Sequence, residues 1–369
     1  MSAPDPGRPR QAPTTLYDLG RTALGELLEH EPSYRVDQLW DGLYGQFRTP
    51  EEITTLPAAL RRLVSEAFPP ALAMAAESVT DGGDTVKWLW ELRDGAAIET
   101  VLMHYPATAT TGARNTVCVS TQAGCAMACS FCATGQSGFQ RHLSTGEIVE
   151  QVVRAQQHAS AWPERRRRVS NVVFMGMGEP LANMGGTWGA VRRLHDDIGI
   201  GARHLTISTV GLVPGIRRLA TAELPVNLAV SLHAADDALR DVLVPVNRRW
   251  PLGELMEACE AYFEATRRRI TFEWALISEV NDRYEDADRL AALANRLQAH
   301  VNLIPLNPTP GYPVRGSSRN RVHAFSQRLR DVGVNTTIRD TRGSEIDAAC
   351  GQLRADHTST PVHDPRSVR

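Results

Sequence analysis

The sequence predicts an α/β protein built around a partial (β/α)6 TIM-like barrel, with a small N-terminal helical accessory domain and a linking β-hairpin. Short apolar strands recur from residue 116 onward, and each is followed by a helical stretch. Continuous apolar strands that alternate with helices are typical of parallel β-α units. Residues 85–103 alternate around an Asp94-Gly95 turn signal, which predicts the hairpin. Residues 16–80 place apolar side chains three to four positions apart, which predicts the helices.

The composition is that of a packed, soluble protein. Of 369 residues, 42% are hydrophobic and 22% are charged, which excludes a collagen-like or wholly disordered chain. No apolar run approaches the ~18 residues of a transmembrane helix, and the N-terminus lacks the apolar core of a signal peptide. We therefore expect a cytoplasmic protein with no membrane partner. The net charge of −2 gives no whole-chain attraction to a polyanion, which argues against a nucleic-acid partner.

Changes of composition along the chain divide it into five segments. The two ends are polar or rich in proline and are expected to be disordered tails. In order, the segments are a tail at 1–15, a helical domain at 16–84, a hairpin linker at 85–115 that carries Glu99, a barrel at 116–353 that includes Cys350, and a tail at 354–369.

Local signals fix two element positions. If Asp94-Gly95 forms a two-residue turn, Glu99 lies opposite Trp90 in the hairpin. Ser144-Thr145-Gly146-Glu147 is a capping-box pattern and predicts that a helix begins there.

Six apolar segments are predicted as barrel strands, and a shorter seventh is a further candidate. In barrels of this type the working residues lie at the carboxyl ends of the strands. The segments are 116–122, 171–178, 204–211, 226–233, 269–277 and 300–308, with 335–340 as the further strand.

Three cysteines follow the first barrel strand in a C-x3-C-x2-C pattern: Cys125, Cys129 and Cys132. Three thiolates on one loop suit three irons of a [4Fe-4S] cluster and leave the fourth iron open. This spacing resembles the radical S-adenosylmethionine (SAM) superfamily, in which the amino and carboxylate groups of SAM occupy the open iron. The alternative is a zinc site with His142 or another cysteine as the fourth ligand. Cys259 lies on the apolar face of a predicted helix and is interpreted as a core residue.

Small polar side chains and glycine stand where the predicted strands end. Glycine lets the backbone approach a ligand, a glutamate carboxylate can accept from an ammonium group, and hydroxyl or amide groups suit a ribose, a carboxylate or an adenine edge. Each alone is more often a turn or capping residue, but they recur at successive strand ends. We therefore predict a SAM-binding set of Gly178, Glu179, Ser208, Ser231, Leu232, His233 and Asn307.

Longer motifs resemble the RlmN/Cfr family within that superfamily, over residues 20 to 353. The matching segments are IETV (98–101), CVSTQAGCAMACSFCATGQ (118–136), NVVFMGMGEPLAN (171–183), LTISTVGLVPGIRRLA (205–220), LAVSLHA (228–234), LVPVN (243–247), VNLIPLNPTPG (301–311) and RDTRGSEIDAACGQL (339–353). The resemblance implies methylation of carbon 2 of an adenosine in 23S rRNA and, in dual-specificity members, in tRNA. The Cfr branch methylates carbon 8 instead; the barrel motifs look closer to RlmN.

The resemblance also implies roles for individual residues. Cys350 would take a methyl group from one SAM, and a second SAM would be cleaved at the cluster to give the radical that activates this group. A covalent enzyme–RNA adduct would follow, which Cys118 resolves by forming a disulfide with Cys350. Glu99 would remove the proton from carbon 2, and burial beside an aromatic ring would raise its pKa. A flavodoxin or ferredoxin would supply the electron, and the chain would act as a monomer.

RNA contact is expected at a local patch rather than through overall charge. The family's helical domain is thought to engage RNA, but residues 1–90 carry 8 basic and 13 acidic side chains here. Candidate contacts are Arg61 and Arg62, the run Arg165–Arg168, and Arg267–Arg269. A different class of function, a non-catalytic zinc-dependent RNA-binding protein, is the remaining alternative.

Overall fold

A computed structural model describes residues 12, 14–162, 165–307, 314–339, 346–347 and 352–353. Within these ranges, ten strands form one sheet and two form a separate hairpin. The strands are β1 Leu72–Thr80, β2 Thr85–Leu92, β3 Ala97–Tyr105, β4 Arg114–Cys118, β5 Gln122–Gly124, β6 Phe139–His142, β7 Asn171–Phe174, β8 Leu205–Thr209, β9 Asn227–Ser231, β10 Ile270–Leu276, β11 His300–Pro305 and β12 Thr336–Ile338.

Eleven α-helices are present in the described ranges, and none is long and apolar enough to cross a bilayer. They are α1 Arg21–Leu27, α2 Tyr34–Trp40, α3 Ala58–Ala67, α4 Ala133–Gln136, α5 Thr145–Ser160, α6 Met184–Arg192, α7 Val213–Ala220, α8 Asp237–Leu243, α9 Leu252–Thr266, α10 Tyr284–Leu297 and α11 Arg319–Asp331.

The predicted partial (β/α)6 barrel is confirmed. Strands β4, β7, β8, β9, β10 and β11 lie side by side and parallel, and β12 adds a short seventh strand. No described strand pairs β12 back to the other edge, so the barrel stays open. Along these strands, residues such as Val172, Ile207 and Leu228 are fully buried, while alternate positions such as Val173, Ser208 and Ser231 are half-buried. The alternate positions therefore form an accessible concave face.

The hairpin continues the barrel sheet instead of linking two separate units. Strands β1 to β4 are antiparallel neighbours, so the sheet runs unbroken from β1 to β12. Leu72–Thr80 belonged to the segment predicted to be helical, and that prediction was wrong: α3 ends at Ala67 and β1 follows. Most side chains of β1 are exposed, so its sequence lacks the apolar alternation of a half-buried strand.

The turn between β2 and β3 contains three residues rather than two. The Leu92 N–H donates to Ala96 O at 2.7 Å, and Gly95 adopts a φ of +81°, as expected for a three-residue hairpin loop. The extra residue shifts the register by one position, so Glu99 lies opposite Leu89. The predicted pairing of Glu99 with Trp90 was therefore wrong.

Asp18 fastens the helical region to the barrel at the start of α5. Its carboxylate accepts from the Gly146 N–H at 2.6 Å and from the Ser144 hydroxyl at 3.0 Å. Ser144 and Glu147 cap each other reciprocally, which confirms the predicted capping box. Thr15, which the sequence placed in the N-terminal tail, is buried against this junction.

Candidate functional site

One cavity lies at the carboxyl ends of the parallel strands, where the sequence predicted the site. Its lining includes eight of the predicted residues: Cys125, Cys129, Cys132, Gly178, Glu179, Ser208, Ser231 and His233. These residues come from four separate segments of the chain, so the fold itself brings them together.

The three cysteines lie on the loop between β5 and β6 and at the start of α4. The Cys125 N–H donates to Gly138 O at 2.7 Å, which ties the start of the loop to its return strand. The Cys132 N–H donates to Cys129 O at 3.1 Å, which folds the loop back on itself. Cys132 is also the N-cap residue of α4, so its position is set by that helix. The loop thus presents all three thiols to one cavity.

Burial disfavours the thiolate forms of Cys125 and Cys129. It raises the pKa of Cys125 to about 12, with Cys132 and Glu179 adding to the rise. Burial also raises the pKa of Cys129 well above its usual value, again with the other two thiols contributing. Thiols that raise one another's pKa are near neighbours, and metal charge would reverse the effect by favouring the thiolates.

Three thiols on one loop suit a multi-iron cluster as well as part of a zinc site. Zinc requires four ligands that converge on one point, whereas each cluster cysteine binds a different iron. In the described ranges, no three His, Cys, Asp or Glu side chains converge on a single-ion site. His142, the predicted fourth zinc ligand, is exposed, contacts Gln122 at 3.0 Å and does not line the cavity. The structure therefore does not bring His142 to the cavity, and another cysteine as the fourth ligand stays an alternative.

Gly178 and Glu179 form the turn after β7. Gly178 has a φ of +99°, and a Cβ there would lie 2.5 Å from Gln122 Cβ, so only glycine fits. The Glu179 carboxylate accepts from the Leu181 N–H at 3.0 Å and the Val210 N–H at 2.9 Å. Burial nevertheless raises its pKa to about 7. A cationic group in the cavity would favour the carboxylate.

His233 lines the cavity as a neutral imidazole. Burial, with a smaller contribution from the charge of Arg240, lowers its pKa to about 3. Its Nδ1 accepts from the Ala275 N–H at 3.0 Å, so the ring proton resides on Nε2. The ring packs edge-on against Phe131 of the cysteine loop. His233 can therefore donate one hydrogen bond without carrying charge.

Two buried charged residues of the site were missed by sequence reasoning. Glu273, in the middle of β10, lines the cavity and accepts from Asn302 at 2.8 Å; burial raises its pKa. A carboxylate within the apolar run ITFEWAL was the signal for it. Arg240 on α8 is fully buried and donates to Val210 O at 2.6 Å and Leu232 O at 3.1 Å. It braces two strand ends, and no sequence pattern indicated that role.

Besides Glu99 and Cys118, which are described below, three predicted residues lie away from the cavity lining or outside the described ranges. The Leu232 side chain is fully buried in the apolar core, so only its backbone can face a ligand. Asn307 is buried at the end of the described barrel segment but is not among the lining residues. Cys350 lies outside the described residues. The roles predicted for these three stay predictions.

Glu99 and Cys118 lie together on the concave face of the sheet. Val101 pairs with Cys118 across β3 and β4, and Glu99 is two residues from Val101, so the three side chains share one face. Cys118 pairs in turn with Val173 of β7, which lies on the face that bears Ser208 and Ser231 further along. The predicted base and the predicted resolving cysteine thus adjoin the cavity without lining it.

Glu99 is buried, as its predicted role requires, but its neighbouring side chain is not the one predicted. It is 3% exposed, and its side chain contacts Lys87 Nζ at 3.1 Å rather than lying against Trp90. The backbone carbonyl of Glu99 accepts from the Ser120 hydroxyl at 2.6 Å, and that hydroxyl accepts from the Met177 N–H at 3.0 Å. Glu99 is therefore held in place through the turn that carries Gly178.

Comparisons with known proteins show the family of the chain. The Radical SAM superfamily model matches residues 119–291. A protein from Chloroflexus aurantiacus, named as a probable dual-specificity RNA methyltransferase RlmN, is 50% identical over 361 residues and covers 94% of both chains. A Mycobacterium marinum protein of the same name is 52% identical and covers 88% of this chain and 90% of its own. A solved radical SAM methyltransferase from Sphaerobacter thermophilus is 48% identical with a TM-score of 0.88, and the match covers 93% of this chain and all of that one.

Proposed function

Because this chain belongs to the RlmN family of radical SAM RNA methyltransferases, we propose that it methylates carbon 2 of an adenosine in 23S rRNA, at the peptidyl transferase centre. We propose the same reaction on an adenosine in the tRNA anticodon stem-loop. The observation that carries the proposal is the cavity that joins three cysteine thiols to the Gly178-Glu179 turn, next to a concave face with Glu99 and Cys118. The relatives' names, dual-specificity RNA methyltransferase, support both substrates.

The cavity residues fit a [4Fe-4S] cluster and SAM. Cys125, Cys129 and Cys132 would hold three irons, since thiolates are the ligands that such clusters take. Glu179 offers a carboxylate to the amino group of SAM, and Ser208, Ser231 and His233 offer hydrogen bonds to its polar groups, with the Leu232 backbone and Asn307 further along. When bound, the pair supplies the methyl group and the one-electron chemistry that activates it. A flavodoxin or ferredoxin would deliver the electron to a monomeric enzyme.

Cys350 would carry the methyl group to the base. Two contacts hold the chain on either side of it. Asp347, three residues before, accepts through its backbone oxygen from Lys87 Nζ at 3.4 Å. Leu353, three residues after, accepts through its backbone oxygen from the Thr134 hydroxyl at 2.6 Å. One anchor adjoins Glu99 and the other follows the cysteine loop, which supports a role for this segment between the two.

Glu99 and Cys118 would complete the reaction. With the base linked to Cys350 through the methylene carbon, the radical adduct would lose one electron, for which the bound redox cofactor would be the acceptor, and Glu99 would accept the proton that carbon 2 loses. The Cys118 thiolate attacks the Cys350 sulfur, the carbon–sulfur bond breaks, and the former methylene carbon gains a proton to become the methyl group. The two cysteines are left joined by a disulfide, which cellular thiols reduce. Cys118 is half-buried on the last residue of β4, so it is positioned by the sheet rather than by a mobile loop.

Replacing Cys118 tests this scheme. We expect Cys118→Ala to take up the methyl group on Cys350, react with RNA once and then remain attached to it, because nothing resolves the adduct. Denaturing electrophoresis of enzyme with a 23S rRNA fragment would show the covalent species. Cys259→Ala, at a cysteine buried in the core, is the matched control and should turn over without trapping.

Two outcomes would overturn the proposal. Normal turnover by Cys118→Ala would remove the resolving role from this residue. Mass spectrometry of the methylated adenosine would show the position of the new group, and a methyl group on carbon 8 would replace the carbon-2 assignment.

A further inference from the structure

Lys87 on β2 is the only lysine in the chain, whose other basic residues are all arginine. Its side chain is 13% exposed and that of Glu99 is 5% exposed, and Nζ lies 3.1 Å from Glu99 Oε1. Both charges are therefore largely removed from water. Removing one partner of such a pair lowers the stability of the folded protein, because the other partner is left as an uncompensated buried charge.

The Lys87 ammonium group also reaches the C-terminal segment. It donates to Asp347 O at 3.4 Å, while Asp347 Oδ1 accepts from Gln352 Nε2 at 3.3 Å. Asp347 has a φ of +51°, so the chain turns sharply at this contact. One ammonium group thus contacts both the predicted base and the segment that leads to Cys350.

The sheet register places Lys87 in line with the predicted resolving cysteine. Lys87 pairs with Val101 across β2 and β3, and Val101 pairs with Cys118 across β3 and β4. Paired residues point to the same face, so Lys87, Cys118 and Glu99 share the concave side of the sheet. Lys87 therefore faces the space where the RNA base would be resolved from the enzyme.

We propose that Lys87 is the positioning residue for the resolution step: it orients the Glu99 carboxylate that receives the carbon-2 proton and fixes the chain before Cys350. This inference rests on the function proposed above for Glu99. In the step concerned, the bond between carbon 2 and hydrogen breaks, its electron pair returns to the ring, and the proton goes to a Glu99 oxygen.

A lysine suits this position better than an arginine. An ammonium group is a compact charge whose donors can serve two oxygens in different directions, here a carboxylate and a backbone carbonyl. A guanidinium fork is planar and larger, and it would need more room in a buried pair. We therefore expect arginine to restore the charge but only part of the geometry.

The test measures two steps in the same samples. Wild type, Lys87→Met, Lys87→Arg, Glu99→Gln and the control Glu91→Gln, an exposed change on the same strand, are each given SAM, a reductant and a 23S rRNA fragment. Mass spectrometry follows methylation of Cys350, and denaturing electrophoresis follows formation and decay of the RNA adduct. We expect Lys87→Met to methylate Cys350 normally but to resolve the adduct roughly tenfold or more slowly. Lys87→Arg should recover part of that rate, and Glu91→Gln should match wild type.

The outcomes separate this inference from the proposed function. If Glu99→Gln traps the adduct but Lys87→Met resolves it at the wild-type rate, Lys87 has no positioning role and the proposed function stands. If Glu99→Gln resolves the adduct normally, the proposed base is wrong and the inference about Lys87 falls with it. If Lys87→Met also loses Cys350 methylation, Lys87 is a general structural residue and the inference is overturned.

Discussion

Cys129 and Cys259 show at the residue scale that burial alone does not identify a ligand cysteine. Burial raises the pKa of Cys259 to about 12 and that of Cys129 well above its usual value, so both are protonated in the absence of metal. They differ in their surroundings. Cys129 lines the cavity beside two other thiols, whereas Cys259 packs into the apolar core from α9. Only the first position lets several thiols share metal charge.

Matched alanine substitutions test this difference. We expect Cys129→Ala and Cys259→Ala to lower the free energy of unfolding of the iron-free protein by a similar amount, about 1 kcal/mol, since each removes one buried sulfur atom. After anaerobic reconstitution, only Cys129→Ala should lose its iron and sulfide. Chemical unfolding and iron analysis provide the two measurements. Equal iron content in both variants would contradict the ligand assignment.

Individual site residues were predictable where they stand at the end of an apolar strand. Ser208 and Ser231 follow apolar strands, and the barrel gathers such positions at one mouth. Glu273 lies inside its strand instead, so a search for polar residues at strand ends does not find it. Arg240 comes from a helix and acts through carbonyls that only tertiary structure brings near it. The Lys87 contact with Glu99 depends on the register, which the sequence left ambiguous.

At the scale of elements, Arg141 joins three parts of the fold. This β6 residue is 1% exposed; it donates to both oxygens of Glu147 at the start of α5, each at 2.8 Å, and to Asp94 in the turn between β2 and β3. We expect Arg141→Met to lower the free energy of unfolding by about 3–5 kcal/mol, because Glu147 would remain buried without its cation. Arg328→Met, at an exposed pair with Asp288, is the control and should change stability little. Urea unfolding measures the free energy of unfolding of the two variants, and equal decreases would contradict this prediction.

The Asp94 contact also predicts how stability depends on pH. Burial by itself would raise the pKa of Asp94, but hydrogen bonds and charge from Arg141 outweigh it and lower the pKa. A carboxyl whose pKa is lower in the folded state contributes stability above its unfolded pKa of about 4 and loses it as the pH falls below that value. We therefore expect the stability difference between wild type and Arg141→Met to narrow on acidification from neutral pH. Unfolding at several pH values checks this, and a widening gap would contradict it.

Elements with strong local patterns were predicted correctly, and those fixed by their neighbours were not. The barrel strands and the capping box at Ser144 carry their own signals. Strand β1 is mostly exposed and is held by pairing with β2, so no periodicity marked it. The Asp94-Gly95 dipeptide suits a two-residue turn and also a three-residue loop with a left-handed glycine. Because the two-residue turn was assumed, the predicted register of Glu99 was wrong by one position and did not show its contact with Lys87.

Across the whole molecule, charges are separated in a way that the net value conceals. Residues 1–90 hold 8 basic and 13 acidic side chains, so the rest of the chain is net +3 against a total of −2. An arginine-lined cleft lies where the parallel strands begin, opposite the cavity: Arg114, Arg166, Arg168, Arg203 and Arg268. None of these five forms an ion pair with a described residue, whereas Arg165, in the same predicted patch, pairs with Asp84. Burial lowers the pKa of His204 in this cleft, and Arg203 and Arg166 lower it further, as a positive local field requires.

RNA binding should therefore depend on the cleft rather than on overall charge. We expect Arg166→Gln combined with Arg203→Gln to weaken binding of a 23S rRNA fragment and to reduce the slope of log affinity against log salt by about 2, roughly one for each lost phosphate contact. Arg217→Gln with Arg218→Gln, on α7, removes the same charge elsewhere and should leave the slope unchanged. Fluorescence anisotropy across a salt series measures both. If the two double variants lower the slope equally, the helical region or general charge, and not this cleft, supplies the phosphate contacts. If only the cleft variant does so, the near-neutral chain binds a polyanion because its positive charge is concentrated at arginines that form no ion pair with a described carboxylate.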